Sequence, residues 1–278
     1  YVVFFASGAT ALIYQVAWMR MFARIVGSTT IAGTIILAAF FGGMALGAWG
    51  FGQIADRFGK PLLLFALLEI ILGVYAALSP WLIDWLGSLH DFFSIPVMSN
   101  NSIWLFQFFV LWLALLIPTA VMGGTFPVIS KVIARRMETL GKTVGRLYAI
   151  NTFGAVLGTI ASSIVLIRIL GLRNLIFGSA LVNFAIGVFS YLLYRRQLIA
   201  SLSATKAVRE FIGERGIASL NRRLLLAVVF FSGFVSLASE VLWLRVFSST
   251  FDSSIQSFGI VLAMVLTGFG VGSYLFAQ

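Results

Sequence analysis

Glu69 and Glu240 each stand inside a long apolar run, where a carboxylate is costly unless it faces protein or a water-filled cavity. Such a group can hold a cation or accept hydrogen bonds from neighbouring helices. Gln15, Asn151 and Asn183 share these apolar surroundings. The two asparagines read first as hydrogen-bonding glue between helices. Glu69, Glu240, Gln15 and Asn151 are the residues that can meet a substrate or ion. Arg245 follows Glu240 by five positions, an awkward spacing for pairing along a straight helix. With no cysteine and with His90 as the single histidine, disulfides, thiolate metal sites and a cysteine nucleophile are excluded, and a histidine metal site is disfavoured. No set of residues reads as catalytic.

The elements that must position these side chains follow from composition. Of the 278 residues, 60% are hydrophobic and 10% charged, against about 25% charged in a soluble domain. A water-facing surface cannot be built from this pool, so lipid is the solvent for much of the chain. A spanning helix needs about 20 apolar residues. Eight runs qualify, near 2–19, 29–51, 61–86, 103–129, 147–170, 174–194, 223–247 and 255–277. The net charge of +10 does not point to nucleic acid, because the basic residues cluster in short stretches between the runs. With the N-terminus in the cytoplasm, the inner loops take Arg57 and Lys60, then Lys131, Arg135, Arg136, Lys142 and Arg146, then the basic residues from Arg195 to Arg223. The outer side keeps only Arg20, Arg24, Arg168, Arg173 and Arg245. Three parts follow: a six-helix unit over 1–196, a cytoplasmic amphipathic linker over 197–222, and the start of a second unit over 223–278. The sequence opens and closes in apolar runs, so a fragment of a longer polypeptide is expected.

The first and seventh runs are related. At a fixed offset of 225, Ser7, Gly8, Leu12, Val16, Trp18, Arg20 and Phe22 meet Ser232, Gly233, Leu237, Val241, Trp243, Arg245 and Phe247. Shared apolar composition would not readily pair both Trp and both Arg. The second and eighth runs match at Leu37/Leu262, Ala38/Ala263, Gly43/Gly268 and Gly47/Gly272. Gln15 occupies the place of Glu240. Six helices per unit in one orientation is a parallel repeat, as in the major facilitator superfamily. The fold expected is all-α and integral to the membrane: a major-facilitator-like six-helix half-bundle plus the first two helices of a second.

Between the second and third runs, Gly52-Gln53-Ile54-Ala55-Asp56-Arg57-Phe58-Gly59-Lys60 resembles the G-x-x-x-D-R-x-G-R/K loop motif of major facilitator transporters. Gly52 and Gly59 permit a tight turn. Asp56 can pair with a basic residue of a neighbouring helix and latch one conformation; an ordinary loop with inside charge is the plainer reading. Pro61 replaces the family's usual second basic residue. The glycine pairs Gly43/Gly47, Gly154/Gly158 and Gly268/Gly272 allow close helix approach in lipid. Pro118 and Pro127 predict a kink in the fourth helix. Trp81, Trp85 and Trp104 read as an interfacial belt.

Five segments in order then carry a wider resemblance: Ser7 to Arg20, Phe40 to Gly47, Pro118 to Pro127, Gly145 to Gly158, and Ser232 to Arg245. Together they resemble the membrane part of bacterial spermidine-synthase-like proteins, in which a major-facilitator-like module is fused to a synthase domain. Gln15 departs from the glutamate expected of that family. The resemblance implies a multi-pass protein of the bacterial inner membrane. It also implies an attached soluble aminopropyltransferase domain using decarboxylated S-adenosylmethionine, and a polyamine or related amine as substrate. This sequence has no βαβ pattern or glycine loop to supply such chemistry, so any cofactor belongs to the parent protein. Two other functions stay open: a major-facilitator-type transporter with no enzymatic role, and a structural membrane anchor.

Overall fold

The computed structural model describes residues 1–26, 29–94, 100–133, 140–203, 222–250 and 255–278. Nearly all of them are helical, and no strand occurs among them. The helices are α1 (Val2–Val26), α2 (Thr29–Phe58), α3 (Pro61–Ser94), α4 (Asn100–Ile133), α5 (Leu140–Ala161), α6 (Ile167–Ser203), α7 (Arg222–Thr250) and α8 (Ile255–Phe276). A π-helical turn, Ser162–Leu166, joins α5 to α6. Among the described residues, seven helical stretches are long and apolar enough to cross a membrane. The chain is therefore a multi-pass membrane protein. Its outer surface agrees: Phe109, Leu113 and Ile117 form an exposed apolar stripe on α4, while Leu111 and Leu115 beside it are buried. Only a hydrocarbon solvent leaves such a stripe uncovered without cost.

The longest of these stretches, Gly141–Ile199, covers 59 residues. At about 1.5 Å per residue it would far exceed a bilayer of about 30 Å if straight. It does not run straight. Gly171 adopts φ 74° and ψ 169°, a backbone region closed to residues with a Cβ. Contacts on either side show that the chain reverses there. Phe5 and Ala9 of α1 meet Gly154 and Gly158, so α1 and α5 run parallel. Ser7 and Trp18 of α1 meet Glu69 and Ser79, so α3 runs with them. Beyond Gly171 the order inverts: α3 residues Ala66, Gly73 and Asp84 meet Gly187, Ala180 and Arg173 in turn.

Close packing uses glycine where the sequence offers it. A Cβ on Gly47 would overlap the Ala120 carbonyl oxygen, and one on Gly43 the Thr119 hydroxyl. These residues set α2 parallel against α4. Gly154 and Gly158 do the same for α5 against the backbone of α1. The third pair behaves differently: nothing among the described residues lies within 4 Å of a Cβ on Gly268 or Gly272. α4 is one continuous helix through Pro118 and Pro127. The expected loop at Gly52 is helix as far as Phe58, and only Gly59 (φ 64°) and Lys60 separate α2 from Pro61, the first residue of α3. Trp81 and Trp85 are exposed, as an interfacial belt requires. The 196/197 boundary falls inside α6, which continues to Ser203. Most of the linker, Arg135, Arg136 and the side chains of His90 and Trp104 lie outside the described residues.

Candidate functional site

Polar side chains on α1 recur at Ser7, Thr10, Tyr14, Gln15 and Trp18, a helical stripe on an otherwise apolar segment. All five are buried. The stripe splits into two directions. Tyr14 and Trp18 turn toward α3 and α6, Gln15 turns toward a cavity of about 430 Å³, and Ser7 borders both.

The first direction ends in a closed network around Glu69, which is 0% exposed. Ser7 Oγ donates to Glu69 Oε1 at 2.6 Å. Asn183 Nδ2 donates to Glu69 Oε2, also at 2.6 Å. Tyr14 OH donates to Asn183 Oδ1 at 2.8 Å. Trp18 stacks on Tyr14 and donates its indole N–H to Ser79 Oγ at 2.8 Å. Both carboxyl oxygens of Glu69 are thus engaged by neutral donors. α1, α3 and α6 are joined by side chains that lipid could not satisfy.

The second direction is the cavity. Helices α1, α2, α4, α5, α7 and α8 all contribute to its wall. Most of that wall is apolar, including Phe41, Met44, Leu262 and Phe269. The polar groups are few: Ser7 and Gln15 from α1, Thr125 from α4, Tyr148, Asn151 and Thr152 from α5, and Glu240 from α7. Apolar walls with a few convergent polar groups characterise small-molecule sites, and the volume lies in their usual range. Gln15 is 3% exposed and Glu240 is 2% exposed. Gln15 Nε2 and Glu240 Oε1 nevertheless have no hydrogen-bond partner among the described residues. Buried polar atoms are seldom left so, because each lost partner costs about 1–3 kcal/mol. No Cα atom of α1 lies within 8 Å of one in α7 among the described residues, and these two groups reach the cavity from separate helices.

The other residues singled out by sequence occupy different places. Asp56 pairs with Lys131 of α4, whose ammonium also donates to the Gly52 carbonyl at 3.3 Å. This is the neighbouring-helix partner expected for Asp56. Arg57 is exposed in the last turn of α2, where a cation suits the helix dipole. Gly59 supplies the left-handed turn. A second pair, Arg173 with Asp84, ties α6 to α3. The repeat partners Trp18 and Trp243 differ sharply: Trp18 is 1% exposed, whereas Trp243 is 51% exposed and packs edge-on against Phe247. Arg20 is exposed, and Arg245 lines a shallow groove with Leu37 and Ala38 of α2. Ser7, Tyr14, Tyr148 and Thr152 were not singled out as site residues by sequence. The stripe on α1 was the available signal for the first two.

No protein-family model, no curated protein and no solved structure matches this chain. Fold and site together define its class: a multi-pass α-helical membrane protein with a partly open cavity that, among the described residues, presents one carboxylate and several neutral polar groups.

Proposed function

We propose that the chain is the membrane-embedded part of a carrier for a small amine, with Glu240 as the group that meets the amine's positive charge. The observation behind this reading is the buried Glu240 Oε1, which lines the cavity without a hydrogen-bond partner among the described residues. A protonated amine supplies the donor and the opposite charge together. Glu69 has a different role here: its two oxygens are occupied, so it holds α1, α3 and α6 in place.

The arrangement proposed is major-facilitator-like. Counting the reversal at Gly171 as two passages gives eight crossings: six in a first unit and two that begin a second. The 225-residue repeat supports this, as does the pairing of Asp56 with Lys131 at the end of α2. The loop charges favour a cytoplasmic N-terminus. The resemblance to spermidine-synthase-like proteins favours a bacterial inner membrane, a polyamine-related substrate and a synthase domain in the parent protein. The structural-anchor reading gives the cavity no task.

Equilibrium binding of radiolabelled putrescine to the purified chain in nanodiscs tests the proposal. Removing one charge from a close, partly buried ion pair costs about 2–5 kcal/mol, so Glu240→Gln should weaken binding by a hundredfold or so. Undiminished putrescine binding by Glu240→Gln, or wild-type binding of neither putrescine nor N-acetylputrescine, overturns the reading.

A further inference from the structure

Two unpartnered groups of opposite hydrogen-bonding character line the same cavity, and the internal repeat makes them equivalents. Gln15 and Glu240 are related by the 225-residue offset that pairs Trp18 with Trp243 and Arg20 with Arg245. Both are more than nine-tenths buried, and both line the cavity wall. On the α7 side the unpartnered atom is a carboxylate oxygen, which can only accept when ionised. On the α1 side it is an amide nitrogen, which can only donate. Two carboxylates at these positions would suit a ligand with a cation at each end, such as a diamine. The glutamine breaks that equivalence. A second ammonium placed at Gln15 Nε2 would face a donor with a donor, and that buried nitrogen would stay unpaired.

We infer that the ligand of this cavity is two-headed: an amine whose far end bears a hydrogen-bond acceptor, such as an amide or carboxyl oxygen, received by Gln15. This rests on the amine reading above and narrows it from amines in general to amines with a neutral or anionic acceptor at the other end. The apolar wall that the two groups share, including Leu12, Phe41 and Leu262, suits the short methylene chain that would join the two heads.

The test compares N-acetylputrescine with heptylamine, two monocations of similar length of which only the first bears an acceptor. Binding is measured by isothermal calorimetry on wild-type chain, Gln15→Met, Gln15→Glu and Glu240→Gln, each first shown monodisperse in nanodiscs. Gln15→Met preserves side-chain length and removes the donor. The expected loss for N-acetylputrescine is about tenfold, the worth of one hydrogen bond to a buried donor, with no loss for heptylamine. Gln15→Glu should reverse the wild-type order and favour putrescine over N-acetylputrescine. Glu240→Gln should weaken both monoamines alike. Equal losses for the two ligands in Gln15→Met overturn the two-headed ligand yet leave the amine reading standing. Indifference of both to Glu240→Gln overturns the amine reading itself. Nanodiscs of phosphatidylglycerol with and without phosphatidylethanolamine separate two sources of this chemistry. Competition by the ethanolamine lipid, itself an amine with an anionic acceptor beside it, supports a two-headed headgroup ligand, and its absence assigns the site to a soluble amine, whose second head the N-acetylputrescine and heptylamine comparison decides.

Discussion

Replacing Glu69 by leucine tests whether its network is a satisfied structural joint. The carboxyl is 0% exposed and receives one donor on each oxygen, both at 2.6 Å. In Glu69→Gln the new amide can keep both contacts. Its oxygen faces Asn183 Nδ2, and its nitrogen faces Ser7 Oγ, whose lone pairs can accept. Asn183 need not turn, so it keeps the bond from Tyr14. In Glu69→Leu both donors lose their acceptor. Ser7 can turn its hydroxyl to a carbonyl one turn back on α1. Asn183 has no such escape, since it too is 0% exposed and its oxygen is already held by Tyr14. Interhelical hydrogen bonds in lipid average about 0.6 kcal/mol and reach about 1.7, and an orphaned buried amide costs about 1–3 kcal/mol. We expect Glu69→Leu to destabilise by about 1–3 kcal/mol and Glu69→Gln by less than about 1 kcal/mol. Unfolding in mixed micelles with increasing dodecyl sulfate, followed by tryptophan emission, reads this directly, because Trp18 stacks on the Tyr14 that completes the network. The double variant with Asn183→Ala should be less damaging than the sum of the two single changes. A leucine variant as stable as wild type would refute the reasoning: Ser7 and Asn183 would then not depend on the carboxyl.

Two further expectations concern the backbone. Gly47→Ala places a methyl group on the Ala120 carbonyl, so α2 and α4 must separate; a loss of about 1–3 kcal/mol is expected in the same unfolding assay. Gly171→Ala introduces a Cβ at φ 74° in open space, so its penalty is conformational alone; about 1–3 kcal/mol is expected, and Gly171→Asn should cost no less at this ψ of 169°.

Much of the architecture is legible in the sequence because hydrocarbon imposes simple rules. Long apolar runs become helices, and Gly59 with Pro61 marks a helix end and the next beginning. The structure extends those helices past the apolar limits: α3 continues to Ser94 rather than ending near residue 86, because polar residues at a membrane surface can still hydrogen-bond along a helix. The segment from Gly52 to Gly59 reads as a loop by those two glycines but stays helical through Phe58, with the Lys131 ammonium closing on its Gly52 carbonyl and Asp56 side chain. The two membrane carboxylates look equivalent in sequence and are separated only by packing. Glu69 meets an asparagine 114 positions away, a pairing no local pattern announces. Gln15 and Glu240 were legible as counterparts through the repeat. That both line one cavity depends on which helices lie around it, and spacing along a chain does not encode that.

The one non-helical residue inside α6, Gly171, also limits how the bundle can move. With no slack between the two segments it joins, their adjoining ends are clasped, and neither can swing outward without dragging the other. The ion pair of Arg173 with Asp84, two residues further on, ties α3 into the same clasp. This corner thus holds three helical segments at one end of the bundle, whereas, among the described residues, the α2–α4 pair reaches α6 only through its neighbours.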